Sequence, residues 1–66
     1  MTTVAAALAE ARRLGVERLD AQLLVARVLQ QTRAWVIAHD EFALGEQAPA
    51  LSALLRRRAG GEPLAY

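Results

Sequence analysis

Apolar residues recur at the spacing of an α-helix in four segments of the chain. The first segment runs from Val4 to Leu14, and Thr3 is placed to cap its N-terminus. Gly15 follows the last apolar residue, and we expect it to end the helix in the left-handed conformation, with Val16 in contact with the final turn. The pattern therefore predicts a first helix that ends at Leu14.

The second and third segments are less evenly amphipathic. From about residues 18–20 to residue 30 most positions are apolar, which predicts a central helix that is covered on more than one side. Thr32 is placed to cap a short third helix, which carries Trp35 and ends near residues 39–40. We expect this tryptophan to close the core.

The fourth segment follows a stretch with a weak pattern. Residues 41–47 hold Phe42 and Leu44 as large apolar anchors, and we expect a turn or a single helical turn there. A last helix begins between Glu46 and Pro49, because proline is tolerated in the first turn. Strict alternation and hairpin dipeptides are absent from the sequence. The fold class predicted is all-α, as a compact antiparallel bundle of four or five short helices.

Composition narrows the classes of function. A chain of 66 residues, 55% hydrophobic and 23% charged, suits one folded domain with a small core. A net charge of +1 argues against nucleic acid or an anionic membrane as the partner. The chain has no cysteine, which excludes disulfides and thiolate metal sites and is typical of a reducing cytoplasm. No targeting or membrane-spanning pattern is visible, so we predict a cytoplasmic location.

The sequence shows no arrangement typical of a catalytic or metal site. His39 is the sole histidine and is expected to lie at a helix end rather than to bind a metal. Ser52 lies outside any glycine-rich elbow, and the glycines at residues 60–61 follow a helix rather than a strand. We therefore assign no catalytic, cofactor-binding or metal-binding residue to this chain.

Two groups of charged residues have structural interpretations. Asp20 and Arg33 lie near the starts of the second and third helices beside apolar positions, and we predict that they pair and fix how these helices meet. The arginines at residues 56–58 are interpreted as complements of the helix dipole, with a phosphate or an acidic protein surface as the alternative.

Several segments stand in a distinctive order along the chain. They are Arg18-Leu19-Asp20-Ala21-Gln22-Leu23-Leu24, then Val28-Leu29 and Thr32-Arg33-Ala34-Trp35, then Leu54-Leu55-Arg56-Arg57-Arg58-Ala59-Gly60-Gly61-Glu62-Pro63-Leu64-Ala65-Tyr66. Each segment is ordinary by itself. Their order and spacing resemble the N-terminal domain of the HemK (PrmC) protein-glutamine methyltransferases, over essentially the whole chain.

The resemblance implies a larger enzyme that uses S-adenosylmethionine to methylate the side-chain amide of a glutamine. That glutamine belongs to the Gly-Gly-Gln motif of class I peptide chain release factors. The cofactor site and an Asn-Pro-Pro-Tyr motif are then expected in a C-terminal Rossmann-like domain, and this sequence contains no asparagine. Residues 1–61 would form the helical N-terminal domain, and residues 62–66 would begin the linker.

By resemblance, the helical domain receives and orients the release factor. Arginine is favoured at protein interfaces, so exposed arginines are the candidates for this contact. They are Arg12, Arg13, Arg56 and Arg57. Leu64 and Tyr66 are expected to pack on the enzyme's own C-terminal domain.

Two alternatives stay open at the level of sequence. One is a non-enzymatic helical adaptor that binds another protein. The other is a helix-turn-helix nucleic-acid binder, against which the near-neutral charge and the apolar central helices argue.

Overall fold

The computed structural model describes residues 2–62 and contains four helices. They are α1 (Val4–Leu14), α2 (Arg18–Leu29), α3 (Arg33–Ala38) and α4 (Ala48–Ala59), and a 3₁₀ turn over Gly45–Gln47 precedes α4. The described residues form no strand, only one isolated bridge between Thr3 and Ala43. The all-α prediction is confirmed, and the helices lie close to their predicted bounds. No helix in this part of the chain is long and apolar enough to cross a membrane.

Side-chain caps begin two of the helices where the sequence predicts them. The Thr3 Oγ1 accepts a hydrogen bond from the Ala6 N–H at 3.2 Å, at the start of α1. The Thr32 Oγ1 accepts from the Trp35 N–H at 3.0 Å, at the start of α3. Each cap satisfies one of the N–H groups that the first turn of a helix leaves without a partner.

Three helices end in the same backbone arrangement, in which one residue past the helix has a positive φ. These residues are Gly15 after α1 (φ 84°), Gln30 after α2 (φ 57°) and Gly61 after α4 (φ 89°). After α1, the Val16 N–H donates to the Ala11 carbonyl at 2.9 Å, and the Val16 side chain is buried in the same core cluster as Ala11. This pattern is the Schellman motif, which satisfies carbonyls at the helix end.

The core draws on all four helices, although it is small. The largest fully buried side chains are Val4 of α1, Val25 of α2, Val36 of α3, and Leu51 and Leu55 of α4. Alanines fill much of the remaining core and let the helix backbones approach closely; they are Ala7, Ala11, Ala21 and Ala26. Helix α2 packs against each of the other three helices, which confirms its predicted central position.

Backbone hydrogen bonds tie the start of α1 to the segment between α3 and α4. The Val4 N–H donates to the Phe42 carbonyl at 2.9 Å, and the Ala5 N–H donates to the Asp40 carbonyl at 2.8 Å. In return, the Leu44 N–H donates to the Thr2 carbonyl at 2.8 Å. We call this set the backbone clamp. It satisfies two further N–H groups of α1 that the Thr3 side chain does not reach.

Trp35 closes one side of the core, as predicted. It is half-buried against the core residues, and its ring stacks on His39 with a centroid separation of 4.1 Å and an interplanar angle of 11°. Phe42 meets the same indole edge-on at 5.2 Å. The stretch over residues 41–47 thus holds one buried anchor, Leu44, and one exposed aromatic, Phe42, beside a single helical turn.

The predicted pair of Asp20 and Arg33 is wrong. The Asp20 Oδ2 accepts from the Arg58 Nη2 at 3.0 Å, so the carboxylate joins the start of α2 to the end of α4. The Arg33 Nη1 donates instead to the Gln22 Oε1 at 3.2 Å. The sequence places all these residues beside apolar positions, but only the packing of α2 against both α3 and α4 determines which partner each reaches.

We expect the substitution Gln30→Gly to stabilise the domain. A residue with a side chain costs about 1–2 kcal/mol in the left-handed conformation, whereas glycine adopts it freely, and glycine's larger unfolded-state entropy offsets part of the gain. A net increase of about 0.5 kcal/mol in the unfolding free energy should be measurable by urea denaturation.

The matched control is Gly15→Ala, for which we expect a lower unfolding free energy. No atom lies within 4 Å of a Cβ at Gly15, so its loss of about 1 kcal/mol would come from the backbone alone. A destabilising Gln30→Gly would contradict the assigned helix end.

A double-mutant cycle can test the Asp20–Arg58 pair. The two side chains keep 24% and 33% of their exposure, so solvent screens the pair in part. We expect Asp20→Ala and Arg58→Ala to show a coupling of about 0.5–1 kcal/mol in chemical denaturation. The control is the cycle of Asp20→Ala with Arg33→Ala, for which we expect additivity. If Asp20 coupled with Arg33 and not with Arg58, Arg33 would be its partner, as predicted from the sequence.

Candidate interaction groove

An open groove of about 820 Å³ lies where α1, the start of α2 and α3 meet. Its larger apolar lining residues are Leu8, Val16, Val36 and Ile37, and Ala9 and Ala21 complete the apolar part of the lining. Val36 is fully buried and Val16 nearly so, while Ile37 keeps 54% of its surface exposed. The groove therefore has a base that belongs to the core and an apolar side chain that is accessible from solvent.

The course of the backbone brings these elements together. The Schellman motif after α1 turns the chain sharply, so that Val16 folds back below Ala11 and α2 starts beside α1. The backbone clamp holds the residues that follow α3 against the start of α1. As a result, side chains of α1, α2 and α3 all line the groove.

Arginines form the edge of the groove. We call Arg12, Arg18 and Arg33 the arginine rim, and Asp40 is the acidic residue among the lining side chains. All three arginines are exposed. Within residues 2–62, Arg12 and Arg18 make no ion pair, whereas Arg33 donates to Gln22, a side chain that is 8% exposed. Three arginines and one aspartate leave the groove with a formal charge of +2.

Two arginines of the rim oppose the local helix dipole. Arg18 is the first residue of α2, and Arg33 is the first residue of α3. A positive charge at a helix N-terminus is unfavourable, typically by about 0.3–1 kcal/mol. Glu17, which precedes α2, makes no side-chain cap either. Arg33 gains a hydrogen bond to the buried Gln22 side chain in return, whereas Arg18 has no such contact among residues 2–62. A position that breaks a local rule without a visible structural gain is typical of a functional surface.

The arginines predicted as partner contacts lie in different settings. Arg12 lines the groove, while the neighbouring Arg13 is exposed outside it. The Arg56 Nη2 donates to the Ser52 Oγ at 2.9 Å, and the Arg57 Nε donates to the Glu62 Oε2 at 2.7 Å. Their role in binding a partner stays a prediction. Leu64 and Tyr66 lie outside the described residues.

The arginine run at the end of α4 has three separate local roles. Arg56 contacts Ser52, Arg57 pairs with Glu62, and Arg58 pairs with Asp20. Ser52 in turn donates to the Glu10 Oε2 at 3.3 Å, which links α4 to α1. Arg58 therefore ties α4 to α2, whereas Arg56 and Arg57 contact residues within α4 or directly after it.

The one histidine has a structural setting. The His39 Nδ1 donates to the Trp35 carbonyl at 2.8 Å while its ring stacks on the indole. Over the described range, no group of three or more His, Cys, Asp or Glu side chains converges on a point where a metal could bind.

Sequence reasoning named Arg12 as a candidate partner contact but did not predict the groove, and it gave Arg18 and Arg33 no binding role. The groove joins residues that are more than twenty positions apart, so no periodic pattern reveals it. One signal was available: Arg33 follows the predicted cap Thr32, and Arg18 lies within the predicted start of the second helix at residues 18–20, where the dipole disfavours a cation. This unfavourable placement could have marked Arg18 and Arg33 as candidates for a binding role.

We expect Arg18→Glu to stabilise the domain. The substitution replaces an unfavourable cation in the first turn of α2 by a favourable anion, which should add about 0.5–1 kcal/mol to the unfolding free energy at low salt. Thermal and urea unfolding of the two proteins measure the difference. Arg27→Glu, in the last turn of the same helix, should act in the opposite direction. Equal stability of both variants would contradict the dipole argument.

Comparison with known proteins relates the chain to one family. The profile of the PrmC N-terminal domain matches residues 1–66. The chain is 48% identical over 50 residues to a release factor glutamine methyltransferase of Coxiella burnetii. These 50 residues are 74% of the chain and 18% of that protein. It is 42% identical over 53 residues to the protein of the same name from Bordetella pertussis, covering 79% of the chain and 20% of that protein. No solved structure gives a match.

The match is uneven in length. A third relative, the release factor glutamine methyltransferase of Xylella fastidiosa strain Temecula1, is 38% identical over 52 residues, which is 77% of the chain and 19% of that protein. The chain thus spans about one fifth of the length of the curated relatives that it matches.

Proposed function

This chain belongs to the PrmC N-terminal domain family, and we propose that it is the substrate-positioning domain of a release factor glutamine methyltransferase. The complete enzyme would transfer a methyl group from S-adenosylmethionine to the glutamine side-chain amide in the Gly-Gly-Gln motif of class I release factors. Residues 1–61 would form the helical domain, and residues 62–66 would begin the linker to a C-terminal Rossmann-like domain. The enzyme would act in the cytoplasm.

The observation that carries this proposal is the pattern of the match to the relatives. About three quarters of the chain aligns with proteins named release factor glutamine methyltransferase, but the aligned part is only one fifth of each of them. A helical module of this size is large enough to bind a protein substrate. The remaining four fifths of each relative are large enough to hold a catalytic domain.

The described residues do not fit S-adenosylmethionine. A Rossmann-like cofactor site requires a strand that leads through a glycine-rich turn into a helix, and residues 2–62 contain no strand. The groove is also unsuitable, because its arginine rim would repel the positively charged sulfonium group of the cofactor. We therefore place the cofactor outside these residues and derive no step of the transfer from them.

A positioning domain accelerates a reaction without touching the reacting atoms. Holding a protein substrate so that one side chain stays near the methyl donor converts an encounter of two molecules into a nearly intramolecular step. The energy comes from contacts remote from the reacting centre. The groove between α1, α2 and α3 offers such contacts, since it has an exposed apolar side chain and two arginines, Arg12 and Arg18, that make no ion pair within residues 2–62.

Deletion of this domain from the complete enzyme tests the proposal. We expect removal of residues 2–62 to lower kcat/KM for a class I release factor by about 100-fold or more, because remote binding and orientation are lost. Transfer of label from radioactive S-adenosylmethionine to the purified release factor measures the rate.

The control is the affinity of the shortened enzyme for S-adenosylmethionine, which should stay unchanged if its remaining domain is folded. A shortened enzyme that binds the cofactor and keeps its full kcat/KM would contradict a positioning role. An intact enzyme that transfers no methyl group to any release factor would contradict the proposed substrate.

A further inference from the structure

We propose that the groove between α1, α2 and α3 binds an acidic segment of the release factor, with carboxylates at the arginine rim and one apolar side chain against Ile37. The inference rests on the proposed function and specifies the surface and the chemistry of recognition. It separates Arg12, a partner candidate from the sequence, from Arg13, Arg56 and Arg57. It also adds Arg18 and Arg33 to the contact.

Charge complementarity is the first argument. Arg12 and Arg18 have no ion-pair partner in the described part of the chain, and both line the groove. A guanidinium group presents a planar fork of donors that matches a carboxylate in two hydrogen bonds. Arg18 also begins the twelve-residue helix α2, whose dipole adds to the attraction for an anion at that end of the groove.

Arg33 is held in place before any partner arrives. Its Nη1 donates to the Gln22 Oε1 at 3.2 Å, and Gln22 is 8% exposed and packed into the start of α2. A side chain that is already oriented loses less conformational entropy when it binds. The remaining donors of this guanidinium stay available to a carboxylate because Arg33 is exposed as a whole.

The apolar lining identifies the second part of the ligand. Ile37 is 54% exposed at the groove, directly after the fully buried Val36. An accessible branched side chain above a packed base is a typical anchor point for one apolar residue of a partner. A volume of about 820 Å³ lies within the range of small-ligand sites and suits a short segment rather than a whole domain.

A protein ligand fits the groove better than a nucleic acid. The exposed Ile37 side chain can contact an apolar residue of a peptide, whereas a phosphate backbone offers no apolar group to meet it. The whole chain carries a charge of only +1, which is too little for strong non-specific binding to RNA. The binding of a short acidic peptide depends on the local positive charge of the arginine rim and not on the net charge of the chain.

The test uses two charge-matched variants of the complete enzyme. The groove variant is Arg12→Glu with Arg18→Glu, and the control is Arg13→Glu with Arg27→Glu. Each replaces one arginine of α1 and one of α2, and each changes the net charge equally. Arg12, Arg13 and Arg27 lie in last turns, whereas Arg18 begins α2, so the dipole destabilises the control variant more than the groove variant.

We expect the groove variant to raise KM for the release factor by about 10-fold with kcat nearly unchanged, because steering and ground-state contacts are lost. The control variant should stay within about 2-fold of the native enzyme. Added salt should raise the KM of the native enzyme and change that of the groove variant less. Thermal unfolding of each variant measures whether the fold is kept.

A second pair of variants tests the apolar contact. Ile37→Ser should raise KM by about 5-fold, since it removes one exposed anchor side chain. Leu19→Ser is its control, because Leu19 is similarly exposed, at 51%, and does not line the groove. We expect no change in KM for the control.

The outcomes separate this inference from the proposed function. Equal KM values for the groove and control variants, in an enzyme that still needs residues 2–62, would overturn the groove and leave the positioning role intact. If deletion of residues 2–62 has no effect, the proposed function itself fails. Salt-sensitive binding of the chain to single-stranded RNA that the groove variant abolishes, with methyl transfer unaffected, would overturn the inference in favour of a nucleic-acid ligand.

Discussion

The backbone clamp between the start of α1 and the segment after α3 is the constraint on which the rest of the domain depends. The first turn of α1 has N–H groups that need acceptors, and the carbonyls of Phe42 and Asp40 supply two of them. In return, the Leu44 N–H donates to the Thr2 carbonyl, and the Leu44 side chain is buried in the core. The start of α1 and the segment after α3 thereby supply each other's backbone hydrogen-bond partners, and no side chain takes part in these bonds.

The clamp also explains how so small a chain keeps a defined shape. Among residues 2–62, five large side chains are fully buried, one or two from each helix, so the loss of any one would remove a large share of the stability. Alanines on α1 and α2 allow close helix contact, which compensates for the small volume of the core. Because α3 has only six residues, the stacking of Trp35 on His39 and the clamp beyond it hold the helix in place.

The eight arginines of the chain divide into different physical roles. Those at the end of α4 lie where the helix dipole favours them, and they contact Ser52, Glu62 and Asp20. Those of the rim include two at helix N-termini, where the dipole disfavours them, and Arg12 and Arg18 lack an acidic partner among residues 2–62. A dense run of arginines thus serves the fold, whereas three dispersed ones surround a groove. This distribution supports recognition of an acidic segment, and it directs attention away from the most conspicuous charge cluster in the sequence.

By itself, the sequence determined the helices, their caps and the family. Thr3, Gly15 and Thr32 act within a few residues of their own position, so their effect is local and can be predicted, and the apolar spacing distinguishes helix from strand. The tertiary structure decided which charges meet. Asp20 pairs with Arg58, thirty-eight positions away, and not with Arg33, because α2 presents that carboxylate to α4. The groove likewise combines residues from three helices, and only the packing of those helices determines which side chains share one surface.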